Sequence, residues 1–501
     1  MSDGGCVFRS PVPNSWSQLV STPVSDSNIA AAFHDAPETR AAIDAILGRL
    51  EAAQARIDGE RPARAGGREN LQSWIDRSAD AKGRGPVFPY VGSGIGRGPL
   101  VELLDGSVKW DLINGIGVHM FGHSDPGMVR AAIESALGDV AMEGNLQFNA
   151  ESIAFAELLA GEARKGSALK HVFLTNSGAM ANENALKVCQ QKMGGAPRVL
   201  AFQDCFMGRT TTMAQIGDSA GGRVGIPLNA QVDYMPFYDP ALGPRSAEMA
   251  LWHLDQMIAR YPGQYSCFIF ELVQGEGGFR TAPREFFVPL MERCREAGIP
   301  VWDDEVQTFG RNTEMFMYDT LDLGQYVDVV AIGKMSQACA ILFTEEFAPK
   351  PGLLSGTFIG SASAFHVGRA ALERLRDGGY YGPDGRIARL HAAFREHAGA
   401  LVTRHPEWFP PVPTDFNRTL TEHYGGTGGM CRITPFGGDR AKIMACLHHL
   451  FDEGVIAFLC GHGPHHLRFL PPVGVMEPAQ FKPVFEILER AMARTHADTG
   501  V

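Results

Sequence analysis

Residues 328–340 read DVVAIGKMSQACA, an apolar, β-branched run that ends at a single lysine, Lys334. The run has the composition of a buried strand, and the stretch contains no other basic residue. A buried ammonium group costs free energy unless the lysine is paired, deprotonated or used in chemistry. A lysine in a solvent-exposed loop is the ordinary alternative. The position of Lys334 therefore raises the question of what lies at the ends of the neighbouring strands.

Other short apolar runs of the same kind alternate with amphipathic segments. These runs are HVFLTN (171–176), RVLAF (198–202), CFIFEL (267–272) and IPVWDD (299–304). Helical spacing occurs between some of them, in ENALKVCQQKM (183–193) and in PREFFVPLMERCREAG (283–298). Short strands without alternation, separated by helices, are typical of a parallel sheet covered on both faces. The pattern predicts an α/β fold with its ligand site beyond the carboxyl ends of the strands.

The composition is that of a globular protein with an ample core. The chain has 501 residues, of which 45% are hydrophobic and 20% are charged. The 56 acidic and 45 basic residues give a net charge of −11, and no dense run of lysine and arginine occurs. Nucleic acid and anionic membranes, which attract basic surfaces, are therefore not expected partners.

Cysteine usage and the N-terminal residues favour the cytoplasm. The nine cysteines are scattered and form no CxxC pair, which argues against a disulfide framework or a zinc site. The first residues, MSDGGCVFRSPVPNS, lack the basic and apolar segments of a secretory signal. No apolar run approaches the roughly 18 residues that cross a bilayer. We expect a soluble cytoplasmic protein.

Changes in pattern divide the chain into four predicted segments. They are a helical N-terminal extension (1–85), a segment that contributes to a small domain and to the active site (86–150), a large sheet domain (151–375) and a C-terminal small domain (376–501). Within the extension, ETRAAIDAILGRLEAAQARI (38–57) has helical apolar spacing that places Ile43, Ile46, Leu47 and Leu50 on one face. The following GERPARAGGREN (59–70) is predicted to be a linker.

Two of the predicted strands end in sequences that suit an anion and a planar ring. In TNSGAMANENALK (175–187), the small residues Ser177, Gly178 and Ala179 lead into a helix, where backbone N–H groups can approach an anion. In FQDCFMGRTTT (202–212), Phe206 can stack on a ring and Arg209 can bind a carboxylate. An ordinary helix cap, a core phenylalanine and a surface arginine are the alternatives.

Two further strand ends carry carboxylates. ELVQGEGG (271–278) has two glutamates and a glutamine among glycines, and VWDDEVQTFGR (301–311) has three consecutive acids after an apolar strand. Packed like charges at a buried strand end are unfavourable unless a cation lies nearby. A solvated turn or a salt-bridge cluster would explain them without a ligand. No histidine or cysteine shares the spacing, so we predict no metal.

One ligand has the chemistry that all five strand ends suit, and it is pyridoxal phosphate. An aspartate would hold its ring nitrogen protonated, an aromatic residue would stack on the ring and a helix N-terminus would bind the phosphate. A lysine would form a Schiff base with the aldehyde. Lys334 would then be neutralised as an imine, which removes the cost of its apolar surroundings.

The same segments, together with two more, resemble the class III aminotransferases, which are fold type I pyridoxal-phosphate enzymes. DEVQTFGR resembles the family motif DEVQ-T-G-x-GR, ELVQGEGG resembles EPVQGEGG, and TNSGAMANENALK resembles NSG-(T/A)-EANE-A-K. CFMGRT resembles the aromatic-x-GRT segment, and INGIGVHMFGHSDPGMVRAAI (113–133) resembles the glycine-rich stretch ending in GH-x-HP. HLRFLPPVGV (466–475) resembles the R-x-x-PP ending. The resemblance implies a large domain with a mostly parallel seven-stranded sheet between helices, plus a smaller α+β domain.

The resemblance also implies roles for individual residues. Lys334 would form the Schiff base and move the proton, and Asp304 would pair with the pyridine nitrogen. Gln307 would reach the ring hydroxyl, Phe206 would stack on the ring, and Gly178 and Ala179 would bind phosphate, next to Ser177. Thr357, in SGTFIG (355–360), would contact the phosphate of the neighbouring subunit, which implies a homodimer with shared active sites.

For the substrate, the resemblance implies a switch between two residues. Arg468 would bind an α-carboxylate, and Glu276 would pair with Arg468 when that carboxylate is absent. Arg209 would hold the distal carboxylate. This suits two unlike substrates: glutamate with 2-oxoglutarate, and an ω-amine such as lysine, ornithine, acetylornithine or 4-aminobutyrate. Departures from the family pattern at Met180, Met207 and Leu272, and the sequence MSQACA after Lys334, leave the donor open, although MSQACA is most like the lysine ε-aminotransferase branch.

Other functions fit the same residues. An aminomutase or a decarboxylating transaminase would use the same cofactor, and a silent binding protein could keep the fold. Retention of Lys334, Asp304 and Gln307 argues against a silent protein. Dependence on a keto acid would separate a transaminase from an aminomutase.

Overall fold

The structure is a computed structural model that describes residues 29–139, 142–144, 146–412 and 418–499. The α-helices are α1 (Ile29–Asp35), α2 (Pro37–Gln54), α3 (Gly67–Lys82), α4 (Asn114–Gly117), α5 (Pro126–Ala136), α6 (Ala150–Ala163), α7 (Gly178–Lys192), α8 (Thr211–Ile216), α9 (Pro244–Arg260), α10 (Arg284–Glu296), α11 (Met317–Thr320), α12 (Ala362–Asp377), α13 (Arg386–Arg404), α14 (Arg440–Glu453) and α15 (Phe481–Thr499).

Strands are distributed over the whole described chain. They are β1 (Gly92–Arg97), β2 (Leu100–Leu103), β3 (Val108–Asp111), β4 (Met142–Glu143), β5 (His171–Thr175), β6 (Arg198–Phe202), β7 (Gln231–Met235), β8 (Tyr265–Phe270), β9 (Val273–Gln274), β10 (Arg280–Thr281), β11 (Val301–Glu305), β12 (Val329–Ile332), β13 (Cys339–Phe343), β14 (Gly360–Ser361), β15 (Tyr424–Thr427), β16 (Met430–Ile433), β17 (Val455–Ile456), β18 (Phe458–Cys460) and β19 (His466–Phe469).

The largest sheet has seven strands in the order β5-β13-β12-β11-β8-β6-β7. Strand β13 runs antiparallel to both of its neighbours, and the other neighbouring strands pair in parallel. This confirms the predicted mostly parallel seven-stranded sheet. Since parallel strands end at the same edge, the segments after β6, β8, β11 and β12 meet there.

Both faces of this sheet are buried, as the unalternated strands predicted. Along β12, Val330 and Ile332 belong to one apolar cluster, whereas Val329 and Ala331 belong to the other, which also contains residues of α7. On β11, Trp302 lies on the α7 side and Val301 on the opposite side. Because successive side chains of a strand point to opposite faces, the neighbouring acids of β11 are separated by the sheet.

Two strands of the large sheet, β7 and β13, were missed by the sequence analysis. Strand β13 follows Lys334 after a tight reversal, in which Lys334 and Gln337 have φ values of 55° and 63°. Glycine is the usual residue at positive φ, but the glycine of this reversal, Gly333, is extended with φ −174°, and both positive-φ positions carry other residues. The residues that turn the chain therefore carry no glycine signal for a reversal between β12 and its antiparallel neighbour.

Two four-stranded sheets lie outside the large one. Their orders are β1-β2-β3-β17 and β15-β16-β19-β18. Strand β17 pairs in parallel with β3, so residues near 110 and near 455 share a sheet. In the second sheet, Arg432 of β16 stands directly opposite Arg468 of β19. No helix in the described ranges is long and apolar enough to cross a membrane.

The N-terminal helices correct two expectations. Ile43 and Leu47 of α2 are buried, but Ile46 is 53% exposed, so the prediction of Ile46 on the buried face was wrong. A helix turns about 100° per residue, so Ile43 and Leu47, four residues apart, lie along one narrow stripe and Ile46 lies to one side of it. Residues 67–70 of the predicted linker belong to α3, and Arg61 pairs through its backbone with Val108.

Candidate active site

The segments that follow the parallel strands enclose a cavity of about 230 Å³. It is lined by Gly178, Ala179, Asn182, Phe206, Met207, Gly208, Arg209, Glu271, Asp304, Val306, Gln307 and Lys334. Residues from five separate stretches of the sequence thus face one space. The structure brings together most of the residues that the sequence analysis proposed.

The start of α7 forms one wall of the cavity. Ser177 caps the helix, and its hydroxyl accepts a hydrogen bond from the backbone N–H of Met180 at 3.3 Å. A Cβ atom at Gly178 would lie 2.6 Å from Cγ1 of Val306, so only glycine fits this close approach. The first N–H groups of a helix have no intrahelical acceptor, which makes this wall suited to an anion.

Asp304 points into the cavity and is held by two donors. Its Oδ1 accepts from the Val306 backbone N–H at 2.9 Å, and its Oδ2 accepts from Nδ2 of Asn182 at 2.7 Å. Burial raises the pKa of Asp304 to about 6, and these hydrogen bonds oppose the rise. The carboxylate is therefore fixed in orientation and suited to pairing with a cation inside the cavity.

Asp303 and Glu305 face away from the cavity, on the other side of the sheet. Glu305 accepts hydrogen bonds from the backbone N–H groups of Met317 and Tyr318 at 2.8 and 3.0 Å. Neither carboxylate oxygen of Asp303 receives a hydrogen bond from the described residues. Burial and the neighbouring Glu305 raise the pKa of Asp303 well above its ordinary value, and burial raises that of Glu305 to about 7. No metal-binding cluster of three acids, histidines or cysteines occurs in the described ranges.

We expect Asp303→Asn to stabilise the protein increasingly as pH rises from 5 to 8. A buried acid with a raised pKa binds its proton more tightly in the folded state, so folding loses stability above the pKa of the unfolded chain. The loss is at most about 1.4 kcal/mol per pH unit for one proton, and asparagine can donate to Glu305 without that proton. Melting temperatures at several pH values test this.

Equal melting-temperature differences between Asp303→Asn and the wild type at pH 5 and pH 8 would contradict the expectation.

Phe206 and Arg209 form the outer part of the cavity. The Arg209 guanidinium lies 5.2 Å from the centre of the Phe206 ring, and no carboxylate of the described chain pairs with it. Glu271 fixes this region, because its two oxygens accept from the backbone N–H groups of Phe206 and Gly275 at 3.0 and 2.9 Å. Burial, with Asp304 nearby, raises the pKa of Glu271 to about 8.

Lys334 lies at the base of the cavity on the reversal between β12 and β13. Burial lowers the pKa of its amine, and the nearby Arg468 guanidinium lowers it further, against Glu276. A lower pKa increases the fraction of neutral amine, which is the form that attacks a carbonyl carbon.

A chain of hydrogen bonds connects Glu276, Arg468 and Gln307 at the edge of the cavity. Arg468 is fully buried, and its Nη1 donates to Oε1 of Glu276 at 2.7 Å. Its Nη2 donates to Oε1 of Gln307, also at 2.7 Å. Burial favours the neutral acid of Glu276, but Arg468 outweighs burial and lowers the pKa of Glu276.

Two residues that line the cavity had no predicted role, and the predicted contact of Thr357 with the neighbouring subunit stays a prediction. Thr357 is exposed and does not line the cavity of its own chain. Asn182 and Glu271 do line it, although the sequence analysis gave neither a role. Asn182 lies one helical turn after Gly178, a spacing that places both on the same side of α7 and that could have been used to find it.

The comparisons with known proteins agree with this geometry. The family model for aminotransferase class-III matches residues 88–492. A 2-aminoadipate transaminase of Pseudomonas putida is 28% identical over 412 residues, which are 79% of this chain and 94% of the relative. A probable 4-aminobutyrate aminotransferase of Bacillus subtilis is 30% identical over 409 residues, covering 76% of this chain and 88% of the relative.

Solved structures show the same fold. A lysine aminotransferase from M. tuberculosis superposes with a TM-score of 0.70 at 23% identity, over 84% of this chain and 99% of that one. An aminotransferase from Bacillus anthracis gives a TM-score of 0.73 at 19% identity, over 85% of this chain and 99% of that one. With the family model covering most of the chain, the protein belongs to the class III aminotransferases, which are transaminases that depend on pyridoxal phosphate.

Proposed function

We propose that the protein transfers an amino group from an ω-amine or amino-acid donor to 2-oxoglutarate, in two half-reactions at one site. The donor is of the lysine, ornithine or 4-aminobutyrate kind. The observation that carries the proposal is the Glu276–Arg468 pair at the edge of the Lys334 cavity. The names of the relatives, which include 2-aminoadipate and 4-aminobutyrate transaminases, fit this range of donors.

The residues of the cavity fit pyridoxal phosphate. The glycine-lined start of α7 suits the phosphate, Phe206 suits the ring face, and the doubly hydrogen-bonded Asp304 suits a protonated ring nitrogen. When bound, the cofactor supplies the aldehyde that takes the amino group and the electron sink for the substrate carbon. Lys334 is the residue we propose to bond to the aldehyde and, once released from it, to move the proton at the reacting carbon.

Arg468 and Arg209 divide the recognition of carboxylates. Arg468 pairs with Glu276, so its charge is masked when no substrate carboxylate lies beside the reacting carbon. Glutamate or 2-oxoglutarate would displace Glu276 and accept a charge-assisted hydrogen bond from Nη1 of Arg468. Arg209 has no carboxylate partner in the described chain and is available for the distal carboxylate of either substrate.

Mutations of this pair should separate the two half-reactions. Arg468→Ala removes a hydrogen bond to a charged group, about 1.5–3 kcal/mol, and should slow the glutamate half-reaction roughly tenfold or more. The ω-amine half-reaction should suffer much less. Glu276→Ala leaves Arg468 unmasked and should penalise the ω-amine donor selectively. Single-turnover kinetics of each half-reaction at fixed pH measure both effects.

The same kinetics test the alternatives. Equal losses in both half-reactions for both variants would mean that the pair is a structural salt bridge, and the two-substrate proposal would fall. A reaction that needs no keto acid would indicate an aminomutase, and release of carbon dioxide would indicate a decarboxylating transaminase. Arg432→Ala is the control, since Arg432 lies opposite Arg468 in the sheet but donates to Thr434.

A homodimer in the cytoplasm completes the proposal. Large apolar side chains are exposed at Leu146, Phe148, Ile153 and Phe358, and the Phe358 carbonyl accepts a hydrogen bond from Asn176, just before α7. They adjoin an apolar groove between α6 and β5 and the exposed Thr357. Burial of such a surface against a second copy would remove this exposure and bring Thr357 to the partner's site. Light scattering in solution, with cofactor retention in Thr357→Ala, tests the dimer.

A further inference from the structure

The amide of Gln307 is oriented by Arg468. A guanidinium only donates hydrogen bonds, so the Gln307 atom at 2.7 Å from Nη2 of Arg468 must be the amide oxygen. The NH2 group of Gln307 is then the part of the amide that remains available to the cavity that Gln307 lines. Arg468 thereby determines that Gln307 offers the cavity a hydrogen-bond donor.

The loop backbone at Gly275 packs closely against the amide of Gln307. A Cβ atom at Gly275 would lie 2.6 Å from Nε2 and 2.9 Å from Oε1 of Gln307, so the loop backbone fits closely against the amide. The side chain of Gln307 is 7% exposed and Arg468 is fully buried. The bond between them is therefore shielded from competing water, which strengthens its hold on the amide.

We infer that Arg468, besides binding substrate carboxylate, is a positioning residue for the cofactor, acting through Gln307. The inference rests on the proposed function and adds a physical link to it. Glu276, Arg468 and Gln307 form one uninterrupted chain from the carboxylate site to the cofactor cavity. When a substrate carboxylate replaces Glu276 on Arg468, the position of the Gln307 NH2 group that faces the cofactor should consequently change.

The link has a spectroscopic consequence in the holoenzyme. With the cofactor held by Lys334, the visible band would report a proton of the cofactor, and a donor from Gln307 would favour the more negative form that lacks this proton. If the Gln307 amide is held less firmly, the pKa at which the visible absorption band titrates should therefore rise. One neutral hydrogen bond contributes about 0.5–1.5 kcal/mol, which corresponds to a rise of about half a pH unit to one unit.

Arg468→Lys, Gln307→Leu and the double variant form a double-mutant cycle that tests the link. Lysine keeps the positive charge but cannot bind Glu276 and Gln307 through a planar fork. We expect Arg468→Lys to raise the pKa of the visible band in the Gln307 protein and to leave it unchanged in the Gln307→Leu background. Arg432→Lys, which alters a nearby arginine that does not touch Gln307, should leave the pKa unchanged in both.

The outcomes separate this inference from the proposed function. Equal shifts by Arg468→Lys in both backgrounds, or no shift in either, would overturn the link while the band still titrates. A Lys334→Ala protein that keeps the same titrating band would instead contradict the role of Lys334. Cofactor content and melting temperature, measured for every variant, show whether each has folded and loaded.

Discussion

Lys334→Ala should lower transamination by more than about a thousandfold while leaving some cofactor bound. The substitution removes both the amine that bonds to the aldehyde and the group that moves the proton, and positioned acid–base catalysis alone contributes about 10²–10⁴-fold. Other cavity residues can still hold the cofactor without that amine: the start of α7, Phe206 and Asp304. The measurements are turnover, cofactor content after dialysis and the visible absorption band.

The matched control for Lys334→Ala is Lys187→Ala. Lys187 ends the motif TNSGAMANENALK, whose first residues line the cavity, but Lys187 itself lies farther along α7 and does not line the cavity. The Lys187 variant should keep its visible band and its turnover. If purified Lys334→Ala instead turned over at a rate near that of the wild type, the assignment of Lys334 would be wrong.

Asp304→Asn should lower turnover by about 30-fold to several thousandfold. A neutral amide cannot hold the ring nitrogen protonated, and removal of one partner from a buried charge pair costs about 2–5 kcal/mol. Asn182 and the Val306 backbone are hydrogen-bond donors to this side chain, so neither can supply the negative charge that the substitution removes. Steady-state and single-turnover rates measure the loss.

Asp303→Asn is the control for Asp304→Asn, because Asp303 is the adjacent acid on the opposite face of β11. It should retain turnover within a few-fold. If Asp303→Asn lost activity and Asp304→Asn kept it, the two acids would have been assigned in the wrong order. Since both substitutions are isosteric and both sites are buried, a difference between them reports position rather than general instability.

Local patterns determined the parts of the site that lie at strand ends. Strands that are buried on both faces appear in the sequence as continuous apolar runs, which identifies them as strands of a parallel sheet. The residues at which these runs stop, Asp304, Glu271 and Lys334, could therefore be placed at one edge of that sheet. The cofactor followed from the chemistry of those ends, and the family from the order of the motifs. The domain boundaries and the roles of individual residues stay predictions.

Features that depend on distant contacts escaped the sequence. The burial of β13, the exposure of Ile46 and the helical start of α3 within the expected linker were not visible in it. Asp303 and Asp304 are neighbours with the same chemistry. Only the way β11 faces within the sheet places Asp304 on the cavity side and Asp303 on the opposite side, in the core.

By itself the sequence determined the fold class and the cofactor and led to the prediction for Lys334, since these depend on short-range pattern and on residue type. Only the tertiary structure decided that Arg468 binds both Glu276 and Gln307, although 192 and 161 residues separate them along the chain. The physical reason is that a hydrogen bond requires atoms within about 3 Å in a defined orientation. Residue type states which bonds are possible, and the tertiary packing that brings β19 beside the segments after β9 and β11 selects the ones that form.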